Sequence, residues 1–433
     1  MSQDACPQPV TRQELEAIQW ARLRSLLDQV WSRNPFWSEK FAGLSLESSD
    51  IGQLADLARL PLTTKQELVD DQADQPPYGS NLTQARRDYS RLHQTSGTTG
   101  VPMRWLDTPQ SWDWILDCWR QIYQLIGLRS DDRLFFPFSF GPFIGFWAAF
   151  EGANRLGNLC IAGGGMSSLA RLRMIRDHGV TVVCCTPTYA LRLLEVAAEE
   201  DVDLSQLGVR ALVVAGEAGG SLPAVRHKLQ DGWGARVFDH WGMTELGSLA
   251  VECVEHPGGM HVLEDACIAE ILDLDTQQPV EPGGSGELVI TNLGRIGSPL
   301  IRYRTGDLVR ADTNPCACGR CLLRLDGGVH SRIDDMITVR GNNLFPSSIE
   351  GVLREFDQIR EFQIVLSTRR AMQHITIRIE PTPSGQLQGA ELAVAVSRSV
   401  QDRLSFQADV ELVPLDSLPR FELKGRRFIR EAE

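Results

Sequence analysis

The sequence lacks several features that would point to whole classes of protein. No run of about 18 or more apolar residues occurs in its 433 residues, which argues against a membrane-spanning helix. Residues 1–16 contain no basic stretch followed by an apolar one, so we expect no secretory signal. Positive charge is in deficit: the formal net charge is −13, which argues against a nucleic-acid-binding surface.

Cysteine is present, but not in the dense pattern of a small disulfide-bonded protein. Ten cysteines are scattered along the chain, which favours a reduced, cytoplasmic protein. Hydrophobic residues make up 42% and charged residues 23%, as in ordinary globular proteins. At 433 residues the chain is long for one core, so we expect at least two domains.

Periodicity predicts an α/β fold. Residues 11–41 read as one helix, beginning with a capping box of Thr11 and Glu14. Short apolar runs then alternate with helical patterns, which is typical of parallel sheets covered by helices. The predicted strands are 134–140, 180–185, 210–216 and 236–242, and two of the predicted helices are 168–179 and 189–200.

The pattern of apolar, Gly and Pro residues changes twice in the second half of the chain. Residues 260–310 contain short strands separated by Gly and Pro turns, which predicts a small β subdomain. The region after about 333 reads as a compact α+β unit. We therefore predict a large domain over 1–333 and a small, mobile domain over 334–433.

A Ser/Thr/Gly-rich loop is the first candidate for chemistry. In HQTSGTTG (93–100), glycines allow a sharp turn with inward N–H groups, and hydroxyls add donors, so the loop suits phosphate oxygens. No lysine follows, so it is not a P-loop. A flexible polar loop is the alternative from composition alone. The loop residues are Thr95, Ser96, Gly97, Thr98, Thr99 and Gly100.

Two later stretches offer groups for a nucleotide. In DHWGMTELG, Trp241 has a face for stacking a base, and Thr244 and Glu245 have oxygens for a Mg²⁺ carried by the nucleotide. In IRYRTGDLV, Asp307 follows a tight turn and is able to hold both hydroxyls of a ribose. A core tryptophan and a turn-forming aspartate are the alternatives.

Two further stretches lie near the predicted domain boundary and the C-terminus. Arg332 and Asp334 occur where the texture changes, which suggests an interdomain hinge. Lys424 precedes a glycine in a basic tail, and such a tail is more often a solvated surface.

Taken in order, these stretches resemble the adenylate-forming superfamily of acyl-CoA synthetases and ligases. RIDDMITVRGNNLFPSSIE (332–350) resembles the phenylacetate-CoA ligase group in particular, as do RNPFWSEKF and LARLPLTTKQEL near the N-terminus. The resemblance therefore covers nearly the whole chain.

The resemblance implies a reaction in which ATP and a carboxylic acid form an acyl-adenylate, and coenzyme A then displaces AMP. Lys424 would stabilise charge during adenylation, and Thr244 and Glu245 would contact phosphate and Mg²⁺. Asp307 and Arg332 would hold the ribose and phosphate region, while Asp334 would be the hinge. The remaining ATP/AMP-binding residues implied are the loop 95–100, Trp241, Gly216, Glu217 and Ala218.

Three positions depart from the family pattern. Trp241 stands where the family usually has Tyr, which keeps stacking but removes a phenolic hydrogen bond. Ser331 replaces a glycine before Arg332, and Leu423 replaces a glycine before Lys424.

The acyl pocket is implied to follow the strand at 134–140. Phe138, Phe140, Phe143 and Phe146 there would form an aromatic wall, unless they belong to the core. Phenylacetate, benzoates and aminobenzoates such as anthranilate all remain possible, and Ser139 favours a polar ring substituent. The substrate-contacting residues expected are Ser139, Phe140, Gly141 and Gly164.

The remaining cysteines suggest a structural zinc site. Zn²⁺ takes four N or S ligands, often two from each of two segments. Cys253, His261, Cys316 and Cys318 supply such a set, and the phenylacetate-CoA ligase group often shows these residue types here. His256 and Cys321 are alternative ligands, free buried thiols are the alternative to a metal site, and a redox pair is a weaker one.

The motifs do not decide the final acceptor. An aryl carboxylate:CoA ligase is the first hypothesis. The alternatives are an adenylation enzyme that loads a carrier protein and a homologue without ligase activity that only binds. The resemblance also suggests a homodimer.

Overall fold

Helices and strands alternate along the chain as an α/β protein requires. The computed structural model describes residues 11–44, 46–95, 102–339, 342–369, 372–386, 389–422 and 424–431. The helices are α1 (Arg12–Arg33), α2 (Pro35–Ala42), α3 (Lys65–Asp74), α4 (Pro109–Leu125), α5 (Ile144–Arg155), α6 (Ser168–Asp177), α7 (Pro187–Glu199), α8 (Pro223–Trp233), α9 (Pro346–Leu353), α10 (Pro383–Gln386) and α11 (Gly389–Leu404).

The strands are mostly short. They are β1 (Arg91–Gln94), β2 (Arg104–Asp107), β3 (Arg133–Phe136), β4 (Leu159–Ala162), β5 (Val182–Cys185), β6 (Ala211–Val214), β7 (Arg236–Met243), β8 (Gly247–Cys253), β9 (His256–Val262), β10 (Cys267–Leu272), β11 (Ser285–Asn292), β12 (Tyr303–Asp312), β13 (Arg324–Asp326), β14 (Ser331–Arg332), β15 (Ile337–Val339), β16 (Asn342–Leu344), β17 (Ile359–Arg369), β18 (Met372–Pro381), β19 (Asp409–Leu412) and β20 (Phe428–Arg430).

The chain divides into two compact units. Unit 1 comprises Met1–Met166, Val180–Cys184 and Phe238–Gly328. Unit 2 comprises Ser167–Gly179, Cys185–Val237 and Val329–Glu433. These units group the residues differently from the predicted boundary at 333/334. The mobility of a domain over 334–433 stays a prediction.

Unit 1 contains both parallel and antiparallel strands. β3 pairs in parallel with β4 and with β5, as the alternating pattern predicts. Strands β7 to β13 run mainly antiparallel in the order β7-β8-β9-β13-β12-β11-β10, and they include the predicted β-rich stretch at 260–310. The α/β prediction is confirmed.

The predicted helix over 11–41 is wrong in one respect, because it is two helices. The capping box of Thr11 and Glu14 is present, but α1 ends at Arg33 and α2 begins at Pro35. Proline disfavours a helical conformation in the residue before it and has no N–H to donate. Asn34 is accordingly extended, and its side chain accepts a hydrogen bond of 3.3 Å from the Trp37 N–H to cap α2.

The predicted strand over 134–140 is also shorter than expected. β3 ends at Phe136 because Pro137 cannot donate to the ladder. Residues 138–141 turn instead, with the Gly141 N–H donating to the Ser139 carbonyl at 3.0 Å. The predicted acyl-binding residues therefore lie in a loop at the carboxyl end of a parallel strand, the usual place for ligand contacts in such sheets.

Unit 2 includes a separate four-stranded sheet in the order β19-β18-β17-β20. β17 and β18 are antiparallel, whereas β20 joins β17 and β19 joins β18 in parallel. Apolar side chains of α9, α11 and the sheet form one buried cluster that includes Ile349, Phe362 and Val396. The region after residue 333 thus forms the α+β unit that was predicted.

Among the helices in the described part of the chain, none combines the length and the apolar character needed to span a bilayer.

Candidate active site

Trp241 and Asp307, both predicted to bind the nucleotide, are in contact in the structure. The Trp241 Nε1–H donates to Asp307 Oδ2 at 2.8 Å, and both side chains are buried in unit 1. The Asp307 N–H in turn donates to Thr305 Oγ1 at 3.1 Å. An indole thus orients the carboxylate predicted to hold a ribose, so the Trp at this position supplies a hydrogen bond that sequence reasoning did not anticipate.

A glycine shapes the turn after Trp241. The β7–β8 ladder shifts register between Trp241 and Gly242. A Cβ at Gly242 would lie 2.6 Å from the Gly247 carbonyl oxygen, which is closer than any ordinary contact. Only glycine therefore lets the backbone carrying Thr244 and Glu245 approach β8 this closely.

Glu245 is buried and has a partner that the sequence did not reveal. The Tyr303 hydroxyl donates to Glu245 Oε1 at 2.9 Å. Tyr303 begins the YRTGD stretch, so a residue of that motif orients the carboxylate of Glu245, which belongs to the DHWGMTELG motif. Carboxylate oxygens suit Mg²⁺, so the oriented Glu245 side chain could hold such an ion.

A buried ion pair supports the same segment. Arg295 and Asp107 are both fully buried, and the guanidinium donates Nε and Nη2 to the two carboxylate oxygens at 2.7 and 2.6 Å. The third donor, Nη1, reaches the Thr244 carbonyl at 2.6 Å. His93 Nδ1 lies 3.7 Å from Asp107 Oδ2. Asp107 therefore connects β1, from which the loop 95–100 departs, with the turn carrying Thr244.

Replacing Arg295 by methionine is expected to destabilise the protein by roughly 3–5 kcal/mol, because Asp107 would remain charged and buried without its partner. Burial alone raises the pKa of Asp107, but the Arg295 charge, together with the other contacts of Arg295 and His93, holds the pKa below its usual value. Urea denaturation measures the loss. The double variant Arg295→Met, Asp107→Leu should lose less than the single variant; an unchanged Arg295→Met protein would contradict the assignment.

The Ser/Thr/Gly-rich loop is described only at its first residue. The Thr95 N–H donates to the Met103 carbonyl at 2.9 Å, and Thr95 Oγ1 accepts from the Met103 N–H at 3.0 Å. Thr95 thus closes the base of the loop. Ser96, Gly97, Thr98, Thr99 and Gly100 lie outside the described residues, and their role with phosphate stays a prediction.

In unit 2 the predicted adenine-lining stretch meets the C-terminal tail. Gly216, Glu217 and Ala218 follow β6, and Gly216 has a positive φ of +95°. A Cβ at Gly216 would lie 3.0 Å from Cε and 3.7 Å from Nζ of Lys424. The structure therefore seats the Lys424 side chain on the Gly216 backbone, some two hundred positions away in sequence.

Arg332 and Asp334 form a loose, exposed pair in unit 2. Arg332 Nη2 lies 3.8 Å from Asp334 Oδ2, and the Asp334 side chain is 76% exposed. Asp334 lies in the short 3₁₀ turn Ile333–Asp335. Its use as a hinge stays a prediction.

The acyl-pocket residues surround an aromatic cluster in unit 1. Phe140 packs on Trp147 and Phe150 with centroid distances of 4.9 and 5.3 Å, and on the buried Phe138 at 5.6 Å. The Trp147 Nε1–H donates to the Gly141 carbonyl at 2.9 Å. Trp147 and Phe150 are wall residues not predicted from the sequence, although both lie on α5 at helical spacing from its N-cap residue Phe143.

Gly164 brings a second backbone against this cluster. Its Cβ position lies 3.1 Å from the Phe138 carbonyl oxygen and 3.3 Å from Ser139 Cα. The loops that follow β3 and β4 therefore approach each other closely at Gly164, and its contact with a substrate stays a prediction. Ser139 is exposed, so its hydroxyl remains accessible to a ligand.

The four predicted zinc ligands lie together in unit 1. Their ligand atoms all lie within 4.8 Å of one another, and neither His256 nor Cys321 belongs to this group. Cys253 Sγ is 3.6 Å from Cys316 Sγ, and Cys318 Sγ is 3.5 Å from His261 Nε2. Two sulfurs bonded to one tetrahedral zinc lie about 3.7 Å apart, whereas a disulfide needs about 2.05 Å. The donor set thus fits zinc and not a disulfide.

The surroundings of these residues agree with that fit. Burial lowers the pKa of His261 to about 4, so the imidazole is neutral, the form that binds metal. Within the described residues, its buried Nδ1 has no hydrogen-bond partner. Burial raises the pKa of Cys253 to about 12, which disfavours the thiolate. A bound cation would reverse this preference by stabilising the thiolate.

Comparison with known proteins identifies the family. Residues 47–294 match the AMP-binding enzyme family, and residues 341–431 match the AMP-binding enzyme C-terminal domain. Phenylacetate-coenzyme A ligase of Thermus thermophilus is 29% identical over 430 residues, covering 95% of each chain. The Escherichia coli protein of that name is 29% identical over 426 residues, covering 96% of this chain and 94% of its own.

A solved structure agrees with this. 2-Hydroxyisobutyryl-CoA ligase in the postadenylation state, in complex with 2-HIB-AMP, matches with a TM-score of 0.92 at 29% identity, over 100% of this chain and 94% of its own. The same ligase with CoA in the thioesterification state matches with a TM-score of 0.74 at 30% identity, over 97% of this chain and 90% of its own. The chain therefore belongs to the AMP-binding enzyme family and is an AMP-forming acid–thiol ligase.

Proposed function

We propose that this enzyme activates an aromatic carboxylic acid with ATP and transfers the acyl group to coenzyme A. The observation that carries the adenylation step is the seat of Lys424 on Gly216, because it brings a cation to the segment implied to line adenine. The carboxylate oxygen attacks the α-phosphorus, and pyrophosphate leaves. The thiol of coenzyme A then attacks the acyl carbon, and AMP leaves.

The roles follow from the charges that develop. Lys424 offsets negative charge between the carboxylate and the α-phosphate during adenylation. Glu245 would hold Mg²⁺ with Tyr303 fixing its orientation, and Thr244 would contact phosphate. Asp307, oriented by Trp241, would accept hydrogen bonds from the ribose hydroxyls. Arg332 would reach the same region, and rotation about Asp334 would carry the domain 334–433 between the two half-reactions.

An aromatic acid is supported by the cluster around Phe140. Three aromatic rings within 6 Å of Phe140 form a wall that suits a flat apolar ring. The exposed hydroxyl of Ser139 favours a polar ring substituent, so we propose a substituted benzoate of the anthranilate type before phenylacetate. A small hydroxy acid is the second candidate, supported by the tight approach of Gly164 to Phe138 and by the ligase of 2-hydroxyisobutyrate among the matches.

An acid panel tests the proposal. ATP–pyrophosphate exchange should be at least about tenfold faster with anthranilate, benzoate or phenylacetate than with 2-hydroxyisobutyrate or acetate, because burying a ring adds a few kcal/mol of binding. Chromatography of the products with coenzyme A present then identifies the acyl-CoA. Exchange that is fastest with 2-hydroxyisobutyrate would contradict the aromatic substrate, and no exchange with any acid would contradict adenylation.

The same assay separates coenzyme A from a carrier protein. Exchange without acyl-CoA formation would favour an enzyme that loads a carrier protein, and binding of AMP without exchange would favour an inactive binding homologue. A homodimer, which the family resemblance suggests, is tested by light scattering.

We also propose that Cys253, His261, Cys316 and Cys318 hold a structural Zn²⁺. The distances between their ligand atoms support this. Cys253 ends β8 and His261 lies on β9, while Cys316 and Cys318 belong to the loop between β12 and β13. A metal there would attach this loop to two strands and stabilise the fold without taking part in the reaction.

A further inference from the structure

A loop of the C-terminal tail is clamped by a buried carboxylate to which sequence reasoning assigns a different task. Glu217 belongs to the stretch implied to line adenine, yet its carboxylate faces the tail within unit 2. Glu217 Oε2 accepts a hydrogen bond of 2.6 Å from the Gly425 N–H, the peptide group directly after Lys424. Glu217 Oε1 accepts one of 2.9 Å from the Thr188 N–H.

The Thr188 contact fixes the carboxylate to the start of a helix. Thr188 is the second residue of α7, where backbone N–H groups have no partner inside the helix. The next N–H, of Tyr189, is capped by Thr186 Oγ1 at 3.1 Å. Glu217 thus satisfies a free donor at the positive end of the helix, where a negative charge is favoured.

A second contact closes a ring around the same loop. The Arg427 Nη1 donates to Thr188 Oγ1 at 3.0 Å, and its Nε and Nη2 donate to Glu361 on β17 at 2.7 and 3.0 Å. Gly425 leaves the space for this, because a Cβ there would collide with the Arg427 guanidinium. The loop 424–427 is therefore held at both ends, by Glu217 through Gly425 and by Thr188 through Arg427.

Glu217 is well placed to act on Lys424. It reaches the peptide adjoining Lys424, whereas the neighbouring contact between Glu422 and Arg171 spans 3.6 Å with the Glu422 side chain 61% exposed and is worth little. Arg427 is engaged with Glu361 and Thr188, so it cannot replace Lys424. Burial raises the pKa of Glu217, and the hydrogen bonds from Gly425 and Thr188 oppose that shift because they favour the ionised carboxylate, for which such bonds are stronger than neutral ones.

We propose that Glu217 is a positioning residue that clamps the Lys424 loop for adenylate formation. This rests on the proposed role of Lys424. Without the clamp, Lys424 leaves its seat on Gly216 more often, and adenylation slows. Thioester formation does not use Lys424, so it does not need the clamp.

The test compares Glu217→Gln with Glu200→Gln, which changes an exposed glutamate at the C-terminal end of α7. Whichever of phenylacetate, benzoate and anthranilate gives the most exchange serves as the acid. Glu217→Gln loses one charged acceptor, so we expect its kcat for ATP–pyrophosphate exchange to fall roughly 10–100-fold with the ATP KM unchanged. Transfer from the supplied acyl-adenylate to coenzyme A should remain normal, and Glu200→Gln should match the wild type.

Other outcomes overturn the proposal. A raised ATP KM with normal kcat would mean that Glu217 contacts adenine instead. Equal loss of both half-reactions would mean a general structural role. Thr188→Val, which removes only the hydroxyl that Arg427 contacts, should reproduce the selective loss at roughly threefold if Glu217→Gln folds poorly.

A measurement without substrates separates this proposal from the proposed function. In the free protein, hydrogen exchange of the peptide containing Gly425 should be faster in Glu217→Gln than in the wild type or Glu200→Gln. Unchanged exchange would overturn the clamp even if Lys424 has its proposed role. Faster exchange would support the clamp even if no acid in the panel reacts.

Discussion

Lys424→Ala is expected to slow adenylate formation strongly while acyl transfer from a supplied adenylate to coenzyme A continues. Removing one preorganised charge from a developing transition state slows a reaction by roughly 10²–10³-fold. Lys424 is exposed, and its side chain rests on the Gly216 backbone, so alanine removes the ammonium without opening the core. The measurement is ATP–pyrophosphate exchange beside single-turnover thioester formation.

A second lysine of the same unit serves as the control. Lys228 lies exposed on α8, and Lys228→Ala should leave both half-reactions at the wild-type rate. Equal loss of both half-reactions in Lys424→Ala would contradict its assigned role. Full exchange in Lys424→Ala would show that another group stabilises the adenylation transition state.

Purified protein is expected to contain about one zinc per chain, and Cys316→Ser is expected to lose it. Serine is a poor zinc ligand, so the loop between β12 and β13 would no longer be attached to β8 and β9. Metal binding contributes directly to folding, and we expect a loss of about 3 kcal/mol or more in the free energy of unfolding. Elemental analysis gives the metal content, and denaturation with and without a chelator gives the stability.

The chain contains a matched control three residues beyond Cys318. Cys321 is partly exposed and lies outside the group of four, so Cys321→Ser should keep the zinc and the stability. A wild-type protein without metal, with all its thiols titrating freely after unfolding, would rule out the site. Loss of zinc in Cys321→Ser but not in Cys316→Ser would mean that the ligand set is different.

Much of the fold was predictable because its signals are local. The capping box at Thr11 depends on residues three positions apart, and the apolar runs of β5 and β6 depend on immediate neighbours. The errors arose where a proline acted on a longer pattern. Apolar periodicity continues across Pro35 and past Pro137, but a missing N–H ends the helix or the strand regardless of hydrophobicity.

The candidate site likewise contains residues that the sequence reveals and residues that it does not. Motif residues such as Trp241, Glu245 and Asp307 were recognisable from their order along the chain. Their partners were not, because Tyr303, Arg295 and Asp107 act through contacts between residues 51 to 188 positions apart. No local periodicity encodes such a contact, which depends on how strands are paired in the folded protein.

The sequence by itself determined the family, the order of the motifs and which residue types are able to bind nucleotide, acid and metal. Only the tertiary structure decided which of those groups meet. It turned Glu217 towards Gly425, and it brought Cys253, His261, Cys316 and Cys318 together rather than the alternatives His256 and Cys321. The physical reason is that hydrogen bonds and metal coordination act over about 3 Å, and folding alone decides which distant residues come that close.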